Sequence, residues 1–307
     1  MATTGRPRHP ICAAMWVHER LRETDPGLRE RRAQLKQRIA GSISSGEASR
    51  MADRLITIPA VVHVVHRTEE ENVSDEQVAS QLEVLNRDFR AQNEDAKNVP
   101  EAWSGLVADA KIQFELVTED PQGDPTSGIV RTETDRESFP PDGDPVKSAD
   151  SGGAAPWPTD RYLNIWVCNL AEGLLGYAQF PGGPPETDGV VIRHAAFGTV
   201  GSAAEPFNLG RTCTHEVGHY LNLFHIWGDS DDCSGTDEVT DTPGAQAPNY
   251  GRPEFPHVSC NNAPNGDMFT NYMDYTDDAA MFMFTPGQAT RMNATLAAER
   301  VALAKPA

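Results

Sequence analysis

Along the chain, the rhythm of apolar and polar positions changes at Leu55. Residues 18 to 54 are charged and helix-prone, with runs such as "RETDPGLRERRAQLKQRIA". "GSISSGEASRMADR" closes this stretch, and its small polar composition predicts a flexible, cleavable linker. "LITIPAVVHVVHR" follows, rich in the β-branched residues of a buried strand. The change predicts an appendage over 1–54 and a folded core over 55–307. In the core, Ser74 and Gln77 read as a capping box opening a helix over 74–90, with Val78, Leu82, Leu85 and Phe89 as one apolar stripe. "KIQFELV", "RYLNIWVCNL", "GLLGYAQF" and "GVVIRH" read as strands, separated by Pro/Gly/Asp-rich loops, notably 119–160. Residues 228–268 read as irregular. A last helix begins at Thr285, with Pro286 in its first position and Gln288 closing a second capping box.

One segment carries the chemistry. "THEVGHYLNLFH", residues 214–225, holds three histidines and a glutamate. His215 and His219 are four apart, so on a helix they point the same way. Catalytic zinc takes three protein ligands and leaves one position open, and Glu216 beside the pair is placed to work as a general base. His225 lies six residues beyond His219, about 240° further round a continued helix. It reaches the same metal only if the helix stops and the chain turns back. Such a turn needs a residue that tolerates positive φ, and Asn222 is second only to glycine in that respect.

Composition narrows the function classes. The chain has 307 residues, 26 Lys and Arg against 45 Asp and Glu, and a net charge of -19. That charge opposes binding to nucleic acid or to anionic membranes and suits a soluble protein. No apolar run is long enough to insert in a membrane. The N-terminus lacks the sustained apolar core of a secretory signal. Five cysteines (Cys12, Cys168, Cys213, Cys233, Cys260) leave at least one unpaired within the chain.

"HEVGHYLNLFH" resembles the elongated zinc motif HExxHxxGxxH of the metzincin metallopeptidases, with Asn222 in place of the glycine. "NYMDYTDD" resembles their Met-turn. Together with "LNIWVCNL", "LLGYAQFPGG" and "FTPGQATRM", the pattern over roughly 55–300 resembles the pappalysin family, in particular its cytophagalysin/ulilysin-like branch. The resemblance implies an α+β metzincin fold: a twisted mixed sheet with a backing helix at 74–90 and an active-site helix at 212–221 in an upper subdomain (55–222). An irregular lower subdomain (223–307) ends in a helix. It implies a secreted zinc endopeptidase acting on protein or peptide substrates, although no clear leader is visible. Some relatives cleave before Arg or Lys.

The resemblance also assigns residues. Met273 would lie beneath the metal without ligating it, and Tyr275 would support the transition state. Gly176 and Tyr177 on "LLGYAQF" would bind the substrate backbone as an edge strand. "CSGTDEVTDTP" matches the family's calcium segment, with Asp237 and Thr242 ligating through side chains and Thr236 and Thr240 through carbonyls. Cys233 and Cys260 match a family disulfide. A second family disulfide is absent, because "DDAAMF" has alanine where relatives have cysteine, and Cys168 and Cys213 are expected to be buried thiols. "ICAAMWVHERL" resembles the family's pro-region, in which a cysteine blocks the zinc; that role falls to Cys12, although Ile11 and Ala13 replace the usual Arg and Gly around it. Residues 1–54 would then be a pro-segment. Two other classes compete, a zinc amidase acting on non-peptide substrates and a binding module with a structural zinc.

Overall fold

The computed structural model describes residues 11–52, 54–171 and 173–306. The elements in chain order are β1 (Ile11–Cys12), α1 (Ala14–Thr24), α2 (Leu28–Ser44), α3 (Glu47–Ala52), β2 (Ile56–His66), α4 (Asp75–Asp88), α5 (Glu101–Ser104), β3 (Ile112–Leu116) and β4 (Ile129–Glu133). They continue with β5 (Leu163–Cys168), β6 (Leu174–Ala178), β7 (Val190–Arg193), α6 (Arg211–Tyr220), β8 (Tyr250–Gly251), β9 (Tyr275–Thr276), α7 (Pro286–Ala298) and β10 (Lys305–Pro306). The stretch 119–160, expected as loop, therefore contains β4.

The sheet is built on β2, whose first ten residues are buried. β5 pairs in parallel with one side of β2; β3 and β4 lie end to end along its other side. Beyond β5 comes parallel β7, then antiparallel β6. β10 pairs antiparallel with the start of β2. One face carries Ile58, Ala60, Val62 and Val64, packed with Val78 and Leu85 of α4 and Cys213 and Val217 of α6. This face is the main core, and it fixes both helices over the sheet. The other face carries Val65, Trp166, Cys168, Tyr177 and Val191, packed with Ala13, Val17, Leu21 and Leu28 from the N-terminal region.

Three expectations change. The stretch read as a flexible linker is helical to Ser44, turns, and continues as α3. Leu35, Ile39 and Ala48 are buried against Ala294 of α7, and this tertiary burial outweighs the weak helix propensity of Gly and Ser. The capping box of α4 is half-made. Ser74 Oγ accepts from the Gln77 backbone, but the Gln77 amide donates to the carbonyls of His194 and Phe197 instead of returning to the cap. At α7 both halves form: Thr285 Oγ1 accepts from Gln288 N, and Gln288 Oε1 from Thr285 N. β6 is not a free edge, because β1 lies along it in parallel, with Cys12 opposite Gly176 and Ala13 N donating to Gly176 O at 3.1 Å.

Candidate active site

No side chain of its own caps α6, whose N-cap Gly210 has φ 75°. Asp278 supplies the acceptor, taking hydrogen bonds from the backbone N–H groups of Leu209 and Arg211. Arg211 is buried between Asp88 and Asp95, and Thr214 donates to Asp88 Oδ2 at 2.7 Å. These contacts clamp α6 to α4 in the interior, where a paired charge holds position well and a lone one is costly. His215, Glu216 and His219 therefore stand on a rigid helix.

The helix ends as the sequence requires. Asn222 has φ 75°, its N–H returns to His219 O at 2.8 Å, and Leu223 N returns to Gly218 O at 2.9 Å. The turn reverses the chain and brings His225 back. It also places Leu223 O 2.7 Å from His219 Nδ1. His215 Nδ1 meets Tyr272 O and His225 Nδ1 meets Asp229 Oδ1, each at 2.7 Å. Carbonyl and carboxylate oxygens only accept, so each Nδ1 carries a proton, and in the neutral ring each Nε2 is then a bare lone pair. These lone pairs face one another: His219 Nε2 is 3.1 Å from both His215 Nε2 and His225 Nε2. A cation between them turns that repulsion into attraction. Zinc–nitrogen distances of about 2.0–2.1 Å in tetrahedral array put such nitrogens about 3.3 Å apart, so the three residues fit zinc. Burial, reinforced by His225, holds His215 down to about 3, which keeps it in the neutral, ligating form.

Cys12 completes the cluster. Its sulfur and the histidine nitrogens lie within 4.8 Å of one another, and it sits 3.4 Å from Glu216 Oε2. Burial and the Glu216 carboxylate push its thiol up. Burial also raises Glu216 to about 8, and its Oε1 has no hydrogen-bond partner. Gly176 lets the edge strand pass close to this carboxylate, since a Cβ there would meet Glu216 Cγ at 2.9 Å. Tyr177, its neighbour, turns its ring into the core of the opposite face. Met273 is buried, with its sulfur 2.5 Å from where a Cβ on Gly218, the neighbour of His219 in α6, would stand. Tyr275 donates from its hydroxyl to Cys12 O at 3.3 Å, and its ring lies beside His215 and His225.

In the calcium-like loop Asp237 is buried. Its carboxylate accepts from the Thr242 hydroxyl at 2.7 Å and from Val239 N, and burial raises it to about 6. Thr236 accepts from Glu238 N, and Thr240 lies in the same loop. Cys233 and Cys260 form a disulfide; Cys12, Cys168 and Cys213 are free, the latter two buried.

Two sets of residues at the site escaped the sequence reading. Trp227 stacks on His225, and Asp229 binds its Nδ1; their trace was "HIWGD", an acid four residues past the third histidine. Arg32, far away in sequence, donates to Asn222 Oδ1 at 2.8 Å and to Pro181 O, and lies over the rings of Phe180 and Phe224.

With this geometry in place, known proteins agree with it. Residues 149–297 match the pregnancy-associated plasma protein-A peptidase family. An extracellular metalloprotease of Arthroderma benhamiae is 32% identical over 263 residues, covering 82% of this chain and 81% of its own length. The chain belongs to the pappalysin family of metzincins. It is a metallopeptidase. A promirolysin mutant of Tannerella forsythia shares the fold with a TM-score of 0.86 and 45% identity, over 96% of both chains. Mature mirolysin of the same organism, in complex with a cleaved peptide, gives 0.78 and 49% over 82% of this chain and 98% of its own.

Proposed function

We propose that this pappalysin is a zinc endopeptidase held latent by its own N-terminal segment. The observation that carries the reading is the convergence of three histidine lone pairs with Cys12 and Glu216. His215, His219 and His225 would hold the zinc. When bound, zinc supplies Lewis acidity, polarising a peptide carbonyl and lowering the pKa of a water. Glu216 takes the proton from the attacking water and delivers it to the leaving amine. Its buried setting, which lifts it toward neutral pH, suits a group that must both accept and donate. Tyr275 turns its hydroxyl, once freed from Cys12 O, to the developing oxyanion. β6 orients the substrate backbone at Gly176 and Tyr177 by β-augmentation.

Cys12 occupies the ground that water and substrate need, and β1 occupies the edge of β6. Residues 1–54 are thus a pro-segment, and 55–307 the catalytic domain. The pro-form relative covers more of this chain than the mature one does, which supports that division. A small cavity beside the site, lined by Phe207, Arg211, Thr212, Asp274, Asp278 and Met281 among others, is the place for the side chain after the scissile bond. Its two aspartates outnumber the one cation, Arg211, whose guanidinium pairs with Asp88 and Asp95, and this balance favours Arg or Lys there. Asp237, Thr242, Thr236 and Thr240 form a calcium site, and the extracellular relatives support secretion.

Metal analysis together with cleavage-site mapping on a peptide library tests the reading. One zinc per chain and cleavage before basic residues are expected. Glu216→Ala should keep the zinc and lose at least about 10³-fold in kcat/KM. Normal proteolysis by that variant rules the mechanism out.

A further inference from the structure

The three histidines do not have equivalent supports. His215 and His219 donate from Nδ1 to neutral backbone carbonyls, of Tyr272 and Leu223. His225 alone donates to an ionisable side chain, Asp229, at 2.7 Å. It is also the only one of the three that does not stand on α6. The helix fixes the ring directions of the other two, and His225 must be fixed by something else.

The chain after His225 is shaped to do this. Gly228 N donates to His225 O at 2.9 Å, closing a tight turn. Gly228 has φ 64° and Asp229 φ 54°, two successive left-handed residues that reverse the backbone. A side chain at Gly228 would stand 2.0 Å from Thr236 N, so the turn admits only glycine. Aspartate tolerates the left-handed region better than most residues, yet the conformation still carries a cost. What that conformation achieves is the return of the Asp229 carboxylate to Nδ1. Trp227, between them in sequence, lies flat on the imidazole, 4.3 Å between centroids and 7° between planes. The ring is thus held at its edge by Asp229 and on its face by Trp227.

We infer that Asp229 is a positioning residue for the metal, setting the tautomer, orientation and basicity of His225. A carboxylate on Nδ1 raises the electron density at Nε2 and makes it the stronger donor; outer-shell partners of this kind are worth about 10- to 100-fold in metal affinity. The inference rests on the zinc reading above and adds a residue that touches neither the metal nor the substrate.

The experiment measures zinc affinity of the full chain by competition with a chromophoric chelator, and zinc loss by stopped-flow with excess chelator. Asp229→Gly removes the acceptor without straining a left-handed backbone, and it should weaken zinc by about 10- to 100-fold and speed its loss. Asp229→Asn keeps the acceptor oxygen and removes the charge, so its loss should be smaller than that of Asp229→Gly. In the zinc-loaded parent, the His225 Nδ1–H should give a downfield proton resonance in NMR. It should persist, shifted, in the Asn variant and vanish in the Gly variant. Zinc affinity within twofold of the parent in both variants overturns the inference. If the Gly variant does not fold, unchanged affinity and an unshifted resonance in the Asn variant overturn it alone. A parent that binds no zinc refutes the underlying reading instead, so the two failures are distinct.

Discussion

The N-terminal segment and the catalytic body are joined by different physics. Inside the body, β2 forms ladders of five residue pairs with each of β3, β4 and β5, and large apolar side chains fill the face beneath α4 and α6. The segment pairs with the body through two strand residues, β1 on β6. Its other attachments are of two kinds: apolar packing, of Ala13, Val17, Leu21 and Leu28 on the sheet and of Leu35, Ile39 and Ala48 on α7, and polar contacts by cations, Arg20 on Asp144, Lys36 on Glu238, Arg38 on Glu299, and Arg32 on Asn222 and Pro181. Residues 1–54 carry 11 Lys and Arg against 6 Asp and Glu; the remaining 253 carry 15 against 39. A positive segment therefore docks on a strongly negative body. Apolar burial holds the body whatever the salt, whereas the charged part of the segment's docking weakens as salt screens it.

The sharpest way to break this comparison is to remove the segment. A chain starting near Leu55 should cleave a fluorogenic peptide at least about 10²-fold faster than the full chain, because both the open metal position and the β6 edge become free. Cys12→Ala should recover part of that gain, since β1 still covers the edge. Equal activity in all three would show that the segment does not inhibit.

The ionic contacts should rank by burial. Arg20 is mostly buried and reaches Asp144, which is fully buried, while Lys36 and Arg38 are largely exposed. Exposed pairs contribute about 0–1 kcal/mol. Arg20→Ala should therefore raise the basal activity of the full chain several-fold, and Arg38→Ala hardly at all. Raising salt from about 0.05 M to about 1 M should loosen the parent and leave the Leu55 form unaffected. No change from either variant or from salt would mean that apolar contacts, not charges, hold the segment.

Acid gives a finer test. His18 lies edge-on to Phe180 within the docked segment, and burial, with Arg32 nearby, lowers it to about 4. Undocked it titrates near 6.5. The docked state therefore binds fewer protons, so docking is at full strength above about 6.5 and weakens by up to tenfold per pH unit between there and about 4. Proteolytic nicking at the exposed Arg54 should quicken over that window in the parent, and less in His18→Phe. Identical acid dependence in the two would clear His18 of any part.

The same contrast explains what the sequence could tell. β2, α4, the cap of α7 and the turn at Asn222 were legible because each is dictated by residues a few positions apart. The three histidines were legible because helix period and turn chemistry leave them one meeting point. The linker was misread because its helix depends on burial against α7, some 250 residues away, and local composition carries no trace of that. Gln77 was assigned to its cap by local rules, but buried carbonyls at His194 and Phe197 needed a donor more. Arg32 meets Asn222 across 190 positions, and only the folded chain brings them together. Cys12 was legible as a free thiol with no packing role and the chemistry to bind zinc, and family resemblance added the blocking role.

Asn222 is where body and segment meet, and its smallest change separates their demands. In the body, Asn222 must hold φ 75°, which glycine does with less strain. In the full chain its Oδ1 also accepts from the Arg32 guanidinium, a bond to a charged group worth about 1.5–3 kcal/mol when buried and less here, where Arg32 is partly exposed. Asn222→Gly eases the turn and deletes that bond. In the chain starting near Leu55 only the first effect operates, so the melting temperature should stay level or rise by a degree or so. In the full chain the second effect dominates, so nicking at Arg54 and basal activity should both increase modestly. Combined with Arg32→Ala, the substitution should add nothing further, because the partner is already gone. Fully additive effects of the two changes would show that Arg32 and Asn222 act on docking separately, and that the segment does not grip the turn that sets the metal.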